Sequence, residues 1–310
     1  MANDHTEFAQ ALLAQTAAIL NNKVQDEPVI SSTPQTTEAS AQALAPQVED
    51  NNHKEVAVYS STYNADDFGG IPEPQCWTDL RDCMNAGIDK VLLFGLPGIG
   101  KTYAGIFFGD VSRGYERLIC TEDMTSFNVG GGMLPTETGG FSWVDGALLR
   151  AWKRGSRCII DEIDKAGSDV FAELLAFTDT ADSASFTVPS TGEVFTPQPG
   201  FSVVMTSNIE HPKELPPALR DRFSCAIQIN APHPSALMRF PENQRMLAAT
   251  LVAGIDGERV SLRQMQYFNT LLASPAFTVE RAARLAFTES IAKKIANALV
   301  VGTLSVDASL

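Results

Sequence analysis

A short apolar run followed directly by a glycine-rich loop constrains the fold of this chain more than any other feature. Residues 91–94 read Val-Leu-Leu-Phe, typical of a buried strand, and residues 95–102 read Gly-Leu-Pro-Gly-Ile-Gly-Lys-Thr. Glycines let the backbone amides turn inward around a polyphosphate, and the helix that follows directs its positive end at the same anion. Lys101 is expected to reach the β- and γ-phosphates, and the Thr102 hydroxyl to hold Mg²⁺.

Apart from Arg281, which is considered below, the residues expected to contact a bound nucleotide belong to this loop and to the first turn of its helix. They are Gly95, Pro97, Gly98, Ile99, Gly100, Lys101, Thr102 and Tyr103. An ordinary glycine loop is the alternative. The strand before the loop and the helix-forming residues 103–108 after it favour the phosphate site.

Composition narrows the class of protein without giving a function. A chain of 310 residues, 44% of them hydrophobic, can bury a substantial core. A net charge of -14 argues against a protein whose main task is to grip a nucleic-acid backbone. Five cysteines without a Cys-x-x-Cys pair and four histidines without ligand spacing predict reduced thiols and no metal other than Mg²⁺. The absence of a basic N-terminal region and of an unbroken apolar span favours a cytoplasmic protein without a membrane segment.

Three regions differ in their sequence pattern. Residues 1–59 combine a short amphipathic helix, residues 6–20, with a polar linker that is predicted to be disordered. A docking peptide and a dispensable tail both remain open for this region. Residues 60–230 alternate short apolar runs with helical patterns, which predicts a parallel sheet covered by helices. The pattern of residues 231–310 is helical and predicts a small helical domain.

A second apolar strand ends in two adjacent carboxylates. Residues 158–162 read Cys-Ile-Ile-Asp-Glu. Because neighbouring side chains at a strand end point to opposite sides, Asp161 is expected near Mg²⁺ and Glu162 where an attacking water can lose its proton. A solvated acidic turn is the alternative, and the Gly-Lys-Thr loop upstream favours the catalytic interpretation. Asp164, one turn on, is expected to be structural.

Two further segments carry polar groups that suit phosphoryl transfer. The strand predicted at residues 201–206 is followed by Asn208, which can orient a water or contact a γ-phosphate, or can simply form a turn. Residues 215–223 read Leu-Pro-Pro-Ala-Leu-Arg-Asp-Arg-Phe. Arg220 and Arg222 fit a solvated helix end, but an arginine supplied by a neighbouring subunit can raise the rate of phosphoryl transfer by about 10³ to 10⁵.

These four segments, in this order and spacing, resemble the core of the AAA+ ATPases, and more narrowly their MoxR-like, dynein-related branch. That branch carries an insertion in its second helix and a hairpin before its third motif. Residues 128–143 match the insertion in style, and residues 186–197 match the hairpin, with a Ser-Thr-Gly-Glu turn. The resemblance covers about residues 70–300 and implies a P-loop NTPase fold, an α/β parallel sheet sandwiched by helices with a small all-helical C-terminal lid domain.

The resemblance also implies roles for single residues. Lys101 and Thr102 would form Walker A, and Asp161 and Glu162 Walker B. Asn208 would be sensor 1. Arg222 would be the arginine finger, with Arg220 as a second candidate. The sensor 2 arginine best matches Arg281, although Arg284 lies one turn later on the same helix face.

The resemblance implies an ATP- and Mg²⁺-dependent enzyme that assembles as a homo-oligomer, a hexameric ring, and remodels a protein client. A von Willebrand factor A-domain protein is one candidate partner. Apolar residues of the insertion are candidates to touch a client, or alternatively to form a plug under a long loop: Met133, Leu134, Phe141 and Trp143.

Three other functions stay open at the level of the sequence. They are a motor that moves on nucleic acid, a nucleotide-switched scaffold with slow turnover, and a small-molecule P-loop kinase. The acidic balance disfavours the first, the intact carboxylates disfavour the second, and the helical lid with Asn208 and Arg222 fits the third poorly.

Overall fold

The computed structural model describes residues 62–137, 139–254, 258–293 and 295. The helix and linker predicted for residues 1–59 lie outside the described residues. Within them, the strands are β1 (Lys90–Phe94), β2 (Tyr115–Ile119), β3 (Gly131–Pro135), β4 (Phe141–Asp145), β5 (Arg157–Asp161), β6 (Phe186–Thr187), β7 (Val194–Phe195), β8 (Ser202–Ser207) and β9 (Cys225–Gln228).

The α-helices with both ends in the described residues are α1 (Gln75–Asn85), α2 (Lys101–Phe107), α3 (Ser126–Val129), α4 (Ala147–Arg154), α5 (Ser168–Phe177), α6 (Pro217–Arg220), α7 (Pro234–Leu237), α8 (Glu242–Ala253), α9 (Leu262–Leu272) and α10 (Val279–Ala286). Short 3₁₀ turns occupy Ala65–Phe68, Ile163–Lys165 and Pro212–Glu214. None of the helices in the described part of the chain has the length and apolar character needed to cross a bilayer.

Five strands form one parallel sheet in the order β2-β5-β8-β1-β9. The register brings the carboxyl ends of the strands to a common edge, because Phe94 pairs with Ser207 and Ile119 pairs with Asp161. Ligands of open parallel sheets bind at this edge. The predicted parallel sheet covered by helices is therefore confirmed.

The two faces of the sheet bury separate hydrophobic clusters. Along β1, Val91 and Leu93 belong to one cluster, whereas Leu92 and Phe94 belong to the other. This alternation follows from the period of two in a strand, and both faces are apolar because helices cover both. The five cysteines are free thiols, as predicted.

The predicted helical region after residue 230 is observed, and it shares one of these clusters with the sheet. Met265, Phe268 and Ala282 of helices α9 and α10 lie in the same cluster as Val91 and Leu93. Helix α9 begins at a capping box in which the Ser261 hydroxyl accepts a bond from the Gln264 amide at 3.1 Å. Ser261 also lies against Gly98, so the start of α9 is beside the glycine-rich loop.

Two antiparallel hairpins stand outside the main sheet. Strands β3 and β4 form the first, within the predicted insertion, and β6 and β7 form the second. The hairpins contact each other through the rings of Trp143 and Phe186, whose centroids lie 6.5 Å apart. Lys153 joins them as well, since it pairs with Asp145 and lies over the Phe195 ring.

Candidate nucleotide site

The glycine-rich loop follows β1 at the carboxyl edge of the sheet and lines a cleft of about 430 Å³. Gly95 has φ +127° there, and a Cβ at this position would lie 2.7 Å from the carbonyl oxygen of Ile229. Only glycine fits such a close approach of two backbones. Predicted contact residues that line the cleft are Pro97, Gly98, Gly100, Lys101, Thr102 and Tyr103.

Lys101 is buried at the start of α2, and its ammonium has three oxygen acceptors. Nζ donates to the carbonyls of Gly95 and Leu96, both at 2.7 Å, and to Oδ1 of Asn208 at 2.9 Å. Burial lowers the pKa of Lys101 to about 8, although the carboxylates around the cleft act in the opposite direction. All three acceptors are neutral oxygens. A bound phosphate would give the ammonium a negatively charged acceptor in their place.

Thr102 and Asp161 lie side by side. Oγ1 of Thr102 donates to Oδ1 of Asp161 at 2.8 Å, and Thr206 donates to the same oxygen at 2.8 Å. A threonine hydroxyl and a carboxylate are hard oxygen groups of the kind that Mg²⁺ prefers alongside substrate phosphates. The donor set therefore fits Mg²⁺. No group of three or more His, Cys, Asp or Glu side chains that could hold a metal occurs in the part of the chain that the structure describes.

Glu162 reaches the cleft in a different way from the one predicted. Strand β5 ends at Asp161, and Glu162 has φ +58°, the only positive φ of a non-glycine residue in the described chain. Glu162 therefore does not continue the extended strand, as the expected strand alternation requires, but adopts a left-handed backbone conformation. The carboxylate accepts from Nζ of Lys165 at 2.5 Å, and Glu162 lines the cleft. Strained backbone of this kind is concentrated at functional sites.

Asn208 follows β8 and lies in the cleft beside Lys101. The residue before it, Ser207, is fully buried and donates its hydroxyl to Asp164 at 2.5 Å. Asp164 therefore ties the turn after β5 to the end of β8, which is the structural contact expected of it. The structure brings the loop, the carboxylates and the amide to one cleft.

Arg222 is not among the residues that line this cleft. Its guanidinium pairs with Asp179 at 3.4 Å and with Asp221 at 3.6 Å. Nε of Arg222 and Nε of Arg220 are both buried without a hydrogen-bond partner in the described residues. Within one chain, neither arginine completes the site.

Arg281 also lies outside the residues that line the cleft. It donates to the carbonyl of Ala276 at 3.3 Å and lies over the Phe277 ring. Arg284, the second candidate, pairs with Glu280 at 3.8 Å on the exposed face of α10. The arginine of the lid that does line the cleft is Arg263, in the first turn of α9.

Among the cleft residues that sequence reasoning missed, three have long polar side chains, namely Arg117, Arg263 and Gln266. Arg117 lies on β2, and its Nε donates to Oδ2 of Asp161 at 2.5 Å. None of the three belongs to a recognisable motif. Only the spacing of Arg263 and Gln266, one turn apart on a predicted helix, carried a weak signal.

Comparison with known proteins identifies the region that contains most of this site. Residues 90–223 match the family described as AAA domain (dynein-related subfamily). These residues form an AAA domain of the dynein-related subfamily. The resemblance to MoxR-like AAA+ ATPases is thereby confirmed, with the P-loop and the ATP-binding class of site that define this domain.

Several curated relatives match about half of this chain. Protein NorQ of Paracoccus denitrificans is 32% identical over 47% of this chain and 54% of its own length. Denitrification regulatory protein NirQ of Stutzerimonas stutzeri is 27% identical over 57% of this chain and 64% of its own length. Protein CbbQ of Hydrogenophilus thermoluteolus is 27% identical over 46% of this chain and 54% of its own length. The chain thus spans between about half and two thirds of the length of these relatives.

Proposed function

We propose that this chain hydrolyses ATP in a ring of identical subunits and uses the energy to remodel a protein partner. The observation that carries the proposal is the hydrogen-bonded cluster in which Lys101 contacts Asn208, and Thr102 contacts Asp161. These groups come from three neighbouring strand ends, and they suit the binding of a triphosphate with its metal.

Each group of the AAA domain has a role in this proposal. Lys101 holds the β- and γ-phosphates. Thr102 and Asp161 would hold Mg²⁺, which neutralises charge on the phosphates when it is bound. Glu162 exchanges the Lys165 ammonium for an attacking water and accepts its proton. Asn208 orients that water or the γ-phosphate.

The proposal places the remaining cation in the neighbouring subunit. Arg222 lies outside the cleft of its own chain, as does Arg220, the second candidate, so an arginine finger would have to come from a neighbouring subunit. This is why we propose a ring, in which every site borrows Arg222 from the next subunit; the hexamer follows the resemblance to MoxR-like ATPases. Arg281 and Arg284 remain the proposed sensor 2 candidates.

The first hairpin offers a surface for the protein partner. Met133 is 45% exposed, Leu134 41% and Phe141 68%, whereas Trp143 is half-buried and donates its indole N–H to Asp145. Exposed apolar side chains on one hairpin are unusual for a surface without a partner. A von Willebrand factor A-domain protein stays a candidate for this partner.

Replacement of Glu162 tests the proposal. The Glu162→Gln variant should bind ATP with the affinity of the parent. Its rate of hydrolysis should fall by a factor of about 10² or more, because the amide cannot accept the proton of the attacking water. Glu193→Gln, at the exposed turn of the second hairpin, is the matched control and should keep the parent rate.

The same variant can report the partner and the ring. Affinity capture with Glu162→Gln in ATP, followed by mass measurement of the intact complex, should give a ring of this chain with a bound protein. An unchanged rate of hydrolysis would overturn the role of Glu162, and a monomer in ATP at every concentration would overturn the ring.

A further inference from the structure

Arg117 is a cation of the cleft that the motifs of the AAA domain do not include. It lies on β2, the edge strand that pairs with β5, opposite Ile159 in register. Its Nε donates to Oδ2 of Asp161, and its side chain is 45% exposed where that of Asp161 is 3% exposed. The edge strand thus brings an arginine to the carboxylate proposed to face the metal.

Both carboxylate oxygens of Asp161 accept hydrogen bonds, but the donors to one oxygen are neutral and the donor to the other is charged. Oδ1 accepts from the hydroxyls of Thr102 and Thr206, and Oδ2 accepts from Arg117. Among the residues that the structure describes, Arg117 is the only ion-pair partner of this carboxylate. A buried carboxylate without a counter-charge is costly, so the guanidinium stabilises the site when no metal is present.

We propose that Arg117 is the resident counter-ion of Asp161 and thereby sets the Mg²⁺ concentration that nucleotide binding requires. The inference rests on the proposed Mg²⁺-nucleotide function of the cleft. Two cations that share one carboxylate repel each other, and a guanidinium cannot relieve this by losing its proton. Metal binding at Asp161 therefore competes with Arg117. The side chain of Arg117 is nearly half exposed, which leaves it room to move away from Asp161.

Arg117 is a positioning residue in this inference, since it acts through Asp161. Apart from its bond to Asp161, its guanidinium makes no hydrogen bond within the described residues. If Arg117 instead contacted a phosphate directly, its removal would have a different effect on nucleotide binding. Removal of a phosphate contact weakens nucleotide binding without metal, whereas removal of a competitor leaves that binding unchanged and strengthens binding of the metal.

The test measures binding of a fluorescent, non-hydrolysable ATP analogue to the full chain, in EDTA and during titration with MgCl₂ at constant ionic strength. In Arg117→Gln, the half-saturating Mg²⁺ concentration should fall about three- to tenfold, because a partly exposed cation is partly screened. Binding in EDTA should change less than about twofold. Arg117→Lys, which keeps the charge, should restore most of the parent's Mg²⁺ requirement.

Arg154→Gln is the matched control. Arg154 also binds a carboxylate of β2, that of Glu116 at 2.8 Å, but it does not line the cleft. The substitution changes the net charge by the same amount, so an effect of overall charge would appear in both variants. We expect Arg154→Gln to keep the parent's Mg²⁺ requirement within about twofold.

Two results with the Arg117→Gln variant would overturn the inference. An unchanged or higher Mg²⁺ requirement would show that Arg117 does not compete with the metal. A large loss of binding in EDTA would show that Arg117 contacts the phosphates directly. If Arg117→Gln does not fold, the ¹⁵Nε resonance of Arg117 in the parent gives the answer. It should shift when Mg²⁺ is added to the complex with the analogue, and a resonance that stays in place overturns the inference. A parent that binds no analogue overturns the proposed function itself, and this inference with it.

Discussion

The carbonyl oxygen of Gly98 accepts a hydrogen bond from the backbone amide of Leu262 at 3.1 Å. Gly98 belongs to the phosphate-binding loop, and Leu262 is the first residue of α9 in the lid. A Cβ at Gly98 would lie 2.6 Å from Cβ of Ser261, so the two segments are in close contact. A displacement of α9 from the loop would therefore break this hydrogen bond.

We predict that Gly98→Ala weakens nucleotide binding at least tenfold. The methyl group cannot fit against Ser261 without displacement of α9 from the loop. Gly192→Ala is the control, because Gly192 has a similar φ of +71° but no atom within 4 Å of its Cβ position. Backbone strain alone should cost about 1 to 2 kcal/mol of unfolding free energy in either variant. Equal nucleotide binding in the two variants, measured by analogue fluorescence, would contradict the steric contact.

The ammonium of Lys101 gives the site a dependence on pH. Burial lowers its pKa to about 8, and a bound phosphate favours the protonated form. The nucleotide complex thus binds more protons than the free protein, so affinity falls as the pH rises above about 8. Titration of the analogue in EDTA between about pH 7.5 and 9.5 should show this loss, with a slope of at most about tenfold per pH unit.

Lys101→Met is the control for this pH dependence. It should bind the analogue weakly and with an affinity that does not vary over the same range, because the ammonium whose charge changes there has been removed. A parent and a variant with the same pH profile would mean that another group titrates.

The sequence predicted those parts of the fold and site that local segments encode on their own. The loop from Gly95 to Thr102 follows an apolar strand, and the strand that ends at Asp161 places its carboxylate at the same edge, because carboxyl ends of parallel strands meet there. Arg117 could not be found in this way. Its contact with Asp161 depends on the pairing of β2 with β5, which the sequence of β2 alone does not reveal.

The other differences between the sequence-based predictions and the structure concern the backbone conformation of one residue and the helices after residue 230. The positive φ of Glu162 has no glycine or asparagine to signal it, so the sequence wrongly predicted that Glu162 continues the extended strand. Arg263 lines the cleft because Ser261 caps α9 beside Gly98, a contact between residues far apart in the chain. Arg281, which the resemblance assigns to sensor 2, contacts Ala276 and Phe277 within this chain, and its role stays a prediction.

A buried arginine holds the far end of the helix that follows the loop. Nη1 of Arg157 donates to the carbonyls of Gly105 and Phe108 at the end of α2, and Nε donates to Ser202 at 3.3 Å. Burial lowers the pKa of Arg157 to about 10, which leaves it charged at neutral pH. A cation at a helix C-terminus also interacts favourably with the helix dipole.

We predict that Arg157→Met lowers the unfolding free energy by about 3 kcal/mol, because buried carbonyl groups lose their donor. Chemical denaturation of the nucleotide-free protein measures the change. Arg154→Met removes an arginine whose side chain is 62% exposed, and it should cost about 0.5 kcal/mol or less. Similar losses in the two variants would show that Arg157 contributes no more than a surface ion pair.

The proposed ring makes a prediction about mixtures of two inactive variants. Arg222→Ala keeps Glu162 in its own cleft, and Glu162→Gln keeps Arg222 for its neighbour. In an equal mixture that assembles at random, about a quarter of the interfaces combine an intact Glu162 with an intact Arg222, so about a quarter of the parent rate should return. An equal mixture of Lys101→Ala with Glu162→Gln is the control, because both residues line the same cleft and no interface can restore it. Recovery in the first mixture and none in the second places Arg222 across the interface. If neither mixture recovers, Arg222 does not act in trans. If both recover, exchange of subunits is not what restores the rate.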